Sequence, residues 1–263
     1  MREILGRLAR NEISIDEAER LLRVTSITEL ADMAKLDVNR EIRKGFPEII
    51  LAEGKRTEDV ARIALKMLES VGRVIVSRGN REHMDAVKDL IPEDADLNWN
   101  ERAGMIVVKR KGFTIERTGG RVGVLTAGTS DIPIAEEVKV VAEEMGCEVF
   151  SAYDAGVAGI HRLFLPVKEM INWDVDVIVV IAGREGALPT VVAGLVDVPI
   201  IGVPTSIGYG YGGKGVSALM SMLQACSLGI AVVNIDSGVA GGTIAALIAN
   251  RVAGARRSRE SGN

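Results

Sequence analysis

Histidine and cysteine are almost missing from this chain, two of each in 263 residues. Cys147 and Cys226 cannot build the disulfide framework of a small secreted domain, and free thiols fit a reducing, cytoplasmic compartment. His83 and His161 stand alone on separate helix-like stretches and read as surface or core residues rather than catalysts. Aromatic residues are only 3% of the chain, so stacking surfaces are few. Neither charge sign dominates: 32 basic and 36 acidic residues leave a net charge of −4, which gives no surface suited to nucleic acid or an anionic membrane. No uninterrupted apolar run approaches the ~20 residues that cross a bilayer. Arg2, Glu3, Arg7 and Arg10 occupy the place where an export signal needs its apolar stretch, so export is not expected. Near the other end Arg251, Arg256, Arg257 and Arg259, with Ser258 and Gly262, read as a frayed helix end and a polar tail over 255–263.

What is present is a globular balance of 47% apolar and 26% charged residues, sufficient for one large or two modest domains without staples. Residues 1–37 read as a helical segment. Ser14-Ile15-Asp16-Glu17 has capping-box spacing, and Ala18, Leu21, Leu22 and Val24 continue an apolar face. A small α/β unit follows over 38–118, with strands at Glu48–Ala52, Arg73–Ser77 and Met105–Lys109 and helices at Thr57–Ser70 and Arg81–Leu90. The segment Thr114 to Gly120, polar and ending in paired glycines, reads as a linker across its end.

From residue 119 to 254 a different rhythm takes over. Apolar runs at Val122–Thr126, Cys147–Ala152, Val175–Ile181, Ile200–Val203 and Ala231–Ile235 alternate with helical stripes such as Ile134/Val138/Val141/Met145, Val216/Leu219/Met220/Leu223 and Ile244/Leu247/Ile248/Val252. Val- and Ile-rich runs bounded by Gly and Pro, alternating with helices, indicate parallel βαβ units and a three-layer αβα sandwich. A parallel sheet delivers every trailing loop to one edge, so AGTSDIP, AGREGALP, PTSIGYGYGGKG and DSGVAGG should converge on one small-molecule crevice.

Two glycine motifs mislead. Gly208, Gly210 and Gly213 fit a dinucleotide fingerprint with Asp236 as the ribose acid, but Pro204-Thr205-Ser206-Ile207 separates them from the strand and the motif does not open the sheet. Gly208 through Lys214 begins a P-loop, but Gly215 stands where Ser or Thr must hold Mg²⁺. What remains is a flexible loop carrying Tyr209, Tyr211 and Lys214, suited to closing over something planar and anionic. Thr129-Ser130-Asp131 precedes a helix; one of them caps it, and the free N–H groups there also suit a phosphate or carboxylate. Cys147 reads as a core thiol. Cys226 follows a helix whose dipole disfavours a thiolate, and by residue physics alone it reads as structural.

The strings GTSDIPIAEE, IAGREGALPTVVAGLVDVPIIGVPTS and GVSALMSMLQACSLGIAVVNID resemble the phosphoribosylaminoimidazole carboxylase/mutase family of purine synthesis, over about Arg121 to Ala253. One departure matters: that family carries a proton-shuttling histidine just before the Leu-Pro pair, and here the position is Ala187. Arg43-Lys44-Gly45-Phe46-Pro47-Glu48 and Ala52-Glu53-Gly54-Lys55 resemble the N-terminal region of a paralogous family, LarB, the pyridinium-3,5-biscarboxylic acid mononucleotide synthases of nickel-pincer cofactor biosynthesis. That resemblance spans nearly the whole chain and includes the loss of the histidine and the glycine loop.

The resemblance implies a flavodoxin-like sheet and an enzyme that carboxylates C5 of the pyridinium ring of nicotinic acid adenine dinucleotide, using CO₂ or bicarbonate, and hydrolyses its pyrophosphate. It implies Cys226 as nucleophile; Glu185, on the crevice loop, is expected to act as the base or to order the ring. Thr129, Ser130, Arg184 and Lys214 are expected to hold carboxylates or phosphates, with Asp131 shaping that loop and Trp173, Tyr209 and Tyr211 offering stacking surfaces. It further implies Mg²⁺ for the hydrolysis, with no ligand cluster to identify its site, and an octamer built on dimers. The rivals are a true purine-pathway carboxylase or mutase and a non-enzymatic nucleotide-binding protein.

Overall fold

The computed structural model describes residues 2–22, 28–30, 34–37 and 40–260. It forms two compact units, one comprising residues up to Trp99 with Ile106–Phe113, the other Asn100–Met105 with the chain from Thr114.

The first unit contains α1 (Arg2–Ala9), α2 (Ile15–Leu22), β1 (Thr28–Leu30), β2 (Ala34–Leu36), α3 (Arg40–Lys44), β3 (Ile49–Leu51), α4 (Thr57–Val71), β4 (Arg73–Ser77) and α5 (Arg81–Leu90), and most of β5 (Ala95–Asn100) and β6 (Met105–Arg110). Ser14 Oγ accepts the Glu17 N–H at 3.1 Å, as the capping spacing requires. The helical reading of residues 1–37 needs correction beyond Leu22. Thr28–Leu30 pairs antiparallel with Ala34–Leu36, because the 3.6-residue apolar stripe gives way there to short alternation. Val24 lies outside the described residues. Four strands form a sheet in the order β3-β4-β6-β5, with β3 parallel and β6 antiparallel to β4. Strand β5 escapes a search for apolar runs because Asp96 and Asn98 face outward between Ala95, Leu97 and Trp99, which pack on the core. His83 is buried and caps α5 with Asn80, a structural use of the imidazole.

The second unit alternates strictly: β7 (Arg121–Thr126), α6 (Ile132–Glu144), β8 (Glu148–Ala152), α7 (His161–Asn172), β9 (Val177–Ala182), α8 (Leu188–Ala193), β10 (Ile200–Pro204), α9 (Val216–Leu223), β11 (Ile230–Val232) and α10 (Gly238–Glu260). The strands are parallel in the order β8-β7-β9-β10-β11, the 2-1-3-4-5 order of flavodoxin-like sheets. Central β9, VIVVIA, is buried at every position, since helices cover both faces of a parallel sheet. Helices α6 and α10 pack together on one face. On the other, Leu163, Val167 and Met170 of α7, Leu188 and Val192 of α8 and Met222 of α9 share one core cluster. The expected three-layer αβα sandwich is therefore the observed fold.

Two expectations about the C-terminal region are corrected. Residues 255–260 are not a frayed tail but the last turns of α10. Arg256 reaches Asp176 Oδ1 at 2.9 Å and the Gly119 carbonyl at 2.9 Å, and Arg257 donates to the Thr118 carbonyl, so the basic cluster clasps the helix to the strand starts. Asp176 is buried and also accepts the Arg121 N–H at 2.8 Å. Contrary to the expectation from run length, α10 is long and apolar enough by composition to cross a bilayer. Its Ala245, Ala246, Ala249 and Ala253 are buried, as in the core helix of a globular domain. The linker ends firmly docked: the Thr118 N–H bonds the Gly146 carbonyl at 3.0 Å, and its hydroxyl donates to Asn250 Oδ1 at 2.6 Å.

Candidate active site

In a 2-1-3-4-5 sheet, the connections from the first and third strands leave to opposite faces, and a crevice opens between their carboxyl ends. Here that switch point lies between β7 and β9. A cavity of about 400 Å³ occupies it, of the size that takes a small-molecule ligand. Ala127, Val157, Ala158, Ala187, Leu188 and Ile207 give it apolar walls; Ser130, Asp131, Arg184 and Glu185 are its polar side chains. The backbone is unusual around this edge. Asp154, Arg184, Lys214 and Asp236, on the loops leaving β8, β9, β10 and β11, all adopt positive φ, a conformation non-glycine residues seldom take and functional loops often do.

The β7 loop folds as a tight turn, Thr129–Asp131, that runs straight into α6. Asp131 is buried at its base. Its Oδ2 accepts the Gly128 N–H at 2.9 Å and its Oδ1 accepts the Thr205 hydroxyl at 2.7 Å. Burial pushes its carboxyl above the ordinary range, against these two hydrogen bonds, and the nearby Asp236 carboxylate adds to the rise. Asp131 thus braces the loop, while the exposed Ser130 lines the cavity. Thr129 is exposed and is not among the lining residues.

The β9 loop brings Arg184 and Glu185 to the rim, both exposed. Gly183 has no room for a side chain: a Cβ there would lie 2.4 Å from the Ile207 carbonyl oxygen. That close approach lets Arg184 N–H bond Ile207 O at 3.0 Å and sets the Arg184 guanidinium 4.4 Å from the Tyr209 ring centre. The glycine loop is therefore tied to the cavity through Tyr209. Tyr211 and Lys214 are exposed and do not line the cavity. Asp236, the candidate ribose acid of the discarded dinucleotide reading, instead accepts the Ser206 N–H at 2.8 Å.

Two sequence-chosen residues lie elsewhere. Trp173 needs correction: it caps α7 at the amino-terminal edge of the sheet, where its carbonyl accepts from Arg121 at 3.0 Å and its ring packs 6.1 Å from Phe150. An aromatic residue preceding a strand stands at the edge opposite the loops that follow strands. Cys226 is exposed, not walled off, but it is not a lining residue of the cavity. It lies in the bend between α9 and β11. The Ile200 N–H bonds the Gly229 carbonyl, so this bend returns the chain to the start of β10 and away from the cavity edge.

The residues missed by sequence reading are Val157 and Ala158 of the β8 loop, and Thr205 and Ile207. Val157 and Ala158 carry no chemical signature of their own; the adjacency of β8 to β7 brings them to the crevice.

The two thiols differ sharply. Cys147 is buried beside Asn250, and burial pushes its pKa up to about 11. A thiol reagent at pH 8 should therefore modify one cysteine per native chain, at Cys226, and the second only in denaturant. Peptide mapping of the labelled protein checks this; rapid native labelling of Cys147 would contradict the core assignment.

Fold and cavity together describe an α/β enzyme domain with a small N-terminal companion, and the sequence comparisons give both a family. Residues 27–111 match the LarB/PurE-like N-terminal domain, and residues 121–261 match AIR carboxylase. The second half is thus a carboxylase/mutase-type enzyme domain. An uncharacterized protein of Methanocaldococcus jannaschii is 43% identical over 253 residues, covering 95% of this chain and 96% of that protein. An N5-carboxyaminoimidazole ribonucleotide mutase of the same organism is 34% identical over 117 residues, 44% of this chain and 69% of the mutase. That of Thermotoga maritima is 29% identical over 133 residues, 49% and 74% respectively. The chain belongs to the LarB family.

Proposed function

We propose that this protein carboxylates C5 of the pyridinium ring of nicotinic acid adenine dinucleotide and hydrolyses its pyrophosphate, releasing pyridinium-3,5-biscarboxylic acid mononucleotide and AMP. The observation that carries this reading is Ala187 in the cavity wall. The position where the purine enzymes hold their proton-shuttling histidine faces the cavity with a methyl group, and neither His83 nor His161 lines it. Purine-type carboxylation would lack its acid/base there.

The chemistry needs a nucleophile instead. A pyridinium carbon is too electron-poor to attack CO₂. Addition of the Cys226 thiolate at C4 gives a neutral 1,4-dihydropyridine, an enamine nucleophilic at C5. C5 then bonds the CO₂ carbon, leaving an iminium at the ring nitrogen. Glu185 takes the C5 proton, the ring electrons move back through C4, and the thiolate leaves as aromaticity returns. Water attacks one phosphorus of the pyrophosphate and the P–O–P bridge breaks. No oxidant or reductant is required. Ser130, with the N–H groups of its turn, and Arg184 suit the carboxylates or phosphates, and Tyr209 suits a ring. Thr129, Lys214 and Tyr211 join them if the glycine loop closes.

Among the described residues no group of three His, Cys, Asp or Glu side chains is placed to hold a metal ion. No residue is assigned as a metal ligand, and no step is assigned to a metal. Mg²⁺ would enter as the counter-ion of the substrate's pyrophosphate, the mode in which it is commonly bound. The proposed setting is the cytoplasm, with neither nucleic acid nor membrane as partner.

Cys226 must reach a ring that its own chain holds at the other edge, and homo-oligomerisation supplies the route. The last turn of α9 and the bend itself expose Met220, Leu223 and Leu228, the last 90% exposed, an apolar surface of the kind that subunit contacts cover. An octamer built on dimers would set one copy's Cys226 against another's cavity.

Incubation with nicotinic acid adenine dinucleotide, bicarbonate and Mg²⁺, followed by mass detection, tests the reading. The expected products are AMP and a mononucleotide heavier by one CO₂ than nicotinic acid mononucleotide. Binding with no CO₂-dependent product would instead favour a nucleotide-binding role, and isomerisation of carboxyaminoimidazole ribonucleotide a purine-pathway one.

A further inference from the structure

The glycine loop leaves the sheet at Thr205 and rejoins the fold at Gly215, and these two ends touch. A Cβ on Gly215, which sits at φ 78°, would lie 2.8 Å from the Thr205 carbonyl oxygen, so only glycine closes this neck. Residues 206–214 therefore form a compact surface loop with adjacent ends, an Ω-type loop. Thr205 itself is fully buried. Its N–H bonds the Ala182 carbonyl at 3.0 Å, at the end of β9, and its hydroxyl donates to Asp131 at 2.7 Å, under the β7 loop. One residue at the neck thus bonds the end of β9 through its backbone and the β7 loop through its side chain, the two elements whose divergence opens the cavity.

We propose that Thr205 is a positioning residue that couples the glycine loop to the cavity, so that the loop and the Asp131 turn move as one unit. The Asp131 carboxylate has two hydrogen-bonded oxygens, one holding the turn closed through the Gly128 N–H and the other holding the loop neck through Thr205. A rotation of the carboxyl that releases one disturbs the other. The remaining ties act at the loop's first residues: Ser206 N–H on Asp236 Oδ1, Ile207 O on the Arg184 N–H, and Tyr209 beneath the Arg184 guanidinium. Beyond Tyr209 the loop exposes Tyr211 and Lys214, closes on itself through the Gly213 N–H and the Gly210 carbonyl, and packs Gly212 against Ser217 at the start of α9, so it is displaced as a compact unit about its neck. Ligand entering the cavity would meet Ser130 and Arg184, press on both loops and draw the tip over itself. Buried hydrogen bonds transmit such displacement because breaking either one leaves a buried polar atom unpaired.

The test uses Thr205→Val, which keeps the shape and loses the hydroxyl, with Thr205→Ser as the rescue and the full chain throughout. Hydrogen-exchange mass spectrometry needs no substrate and so does not depend on the proposed reaction. Exchange should rise about five- to tenfold in Thr205→Val at both 127–131 and 206–215, the range of one net hydrogen bond, and return to wild type in Thr205→Ser. With nicotinic acid adenine dinucleotide, KM should rise by a similar factor and kcat should change less than twofold, because Thr205 touches no reacting atom. If exchange rises in only one of the two segments, or in neither, the coupling is wrong. If the wild type turns over no substrate while both segments still respond together, the coupling stands and the proposed reaction falls.

Discussion

Replacing Cys226 with alanine is expected to remove carboxylation, by roughly 10⁴-fold or more, the scale on which loss of a covalent nucleophile acts. The fold should survive. Cys226 is exposed in a bend, and surface substitutions of this kind change stability by no more than about 0.5 kcal/mol. Far-ultraviolet circular dichroism and the melting temperature should match wild type while CO₂-dependent product disappears. Cys147 offers no alternative: it is buried, with its pKa pushed up to about 11. Normal turnover by Cys226→Ala would eliminate the covalent route, whatever the fate of the cavity assignment.

The second large effect concerns two inactive variants that become active together. Cys226→Ala and Glu185→Gln should each be inactive alone, since one lacks the nucleophile and the other the base. Within one chain Glu185 stands at the cavity rim, while the bend holding Cys226 returns to the start of β10. If each site takes its base from one copy and its thiol from another, co-expressed or co-refolded variants restore roughly a quarter of the sites under random pairing, because each symmetric contact draws its two halves independently. Activity recovered on mixing, read against each variant alone, is the expected outcome. A mixture as inactive as its components would show that both groups act within a single chain, and the proposed sharing would be withdrawn.

Much of the catalytic-type domain was legible in the sequence. Val122–Thr126 and Val175–Ile181 coincide closely with β7 and β9, because a strand buried on both faces must be apolar at every position. Arg184, Glu185, Ser130 and Asp131 all line the cavity because residues trailing parallel strands share an edge. β5 was not legible, being a half-exposed strand with polar residues at every second place. Trp173 was chosen for its rarity as an aromatic, but residue type carries no information about which edge it occupies. Thr205, Val157 and Ala158 show the same limit: a buried hydroxyl between two loops, or two small apolar residues, leaves no periodic trace.

Taken alone, then, the sequence determined the alternation of strand and helix, the parallel sheet and the set of loops gathered at one edge. Each follows from local spacing and from burial on two faces. Tertiary structure decided the rest: the 2-1-3-4-5 order that opens the crevice at β7 and β9, the Thr205–Asp131 joint, and the separation of Cys226 from the cavity within one chain. These depend on which distant strands become neighbours and where each crossover helix returns. Such long-range pairings are selected by the packing of the whole domain, and no local pattern encodes them.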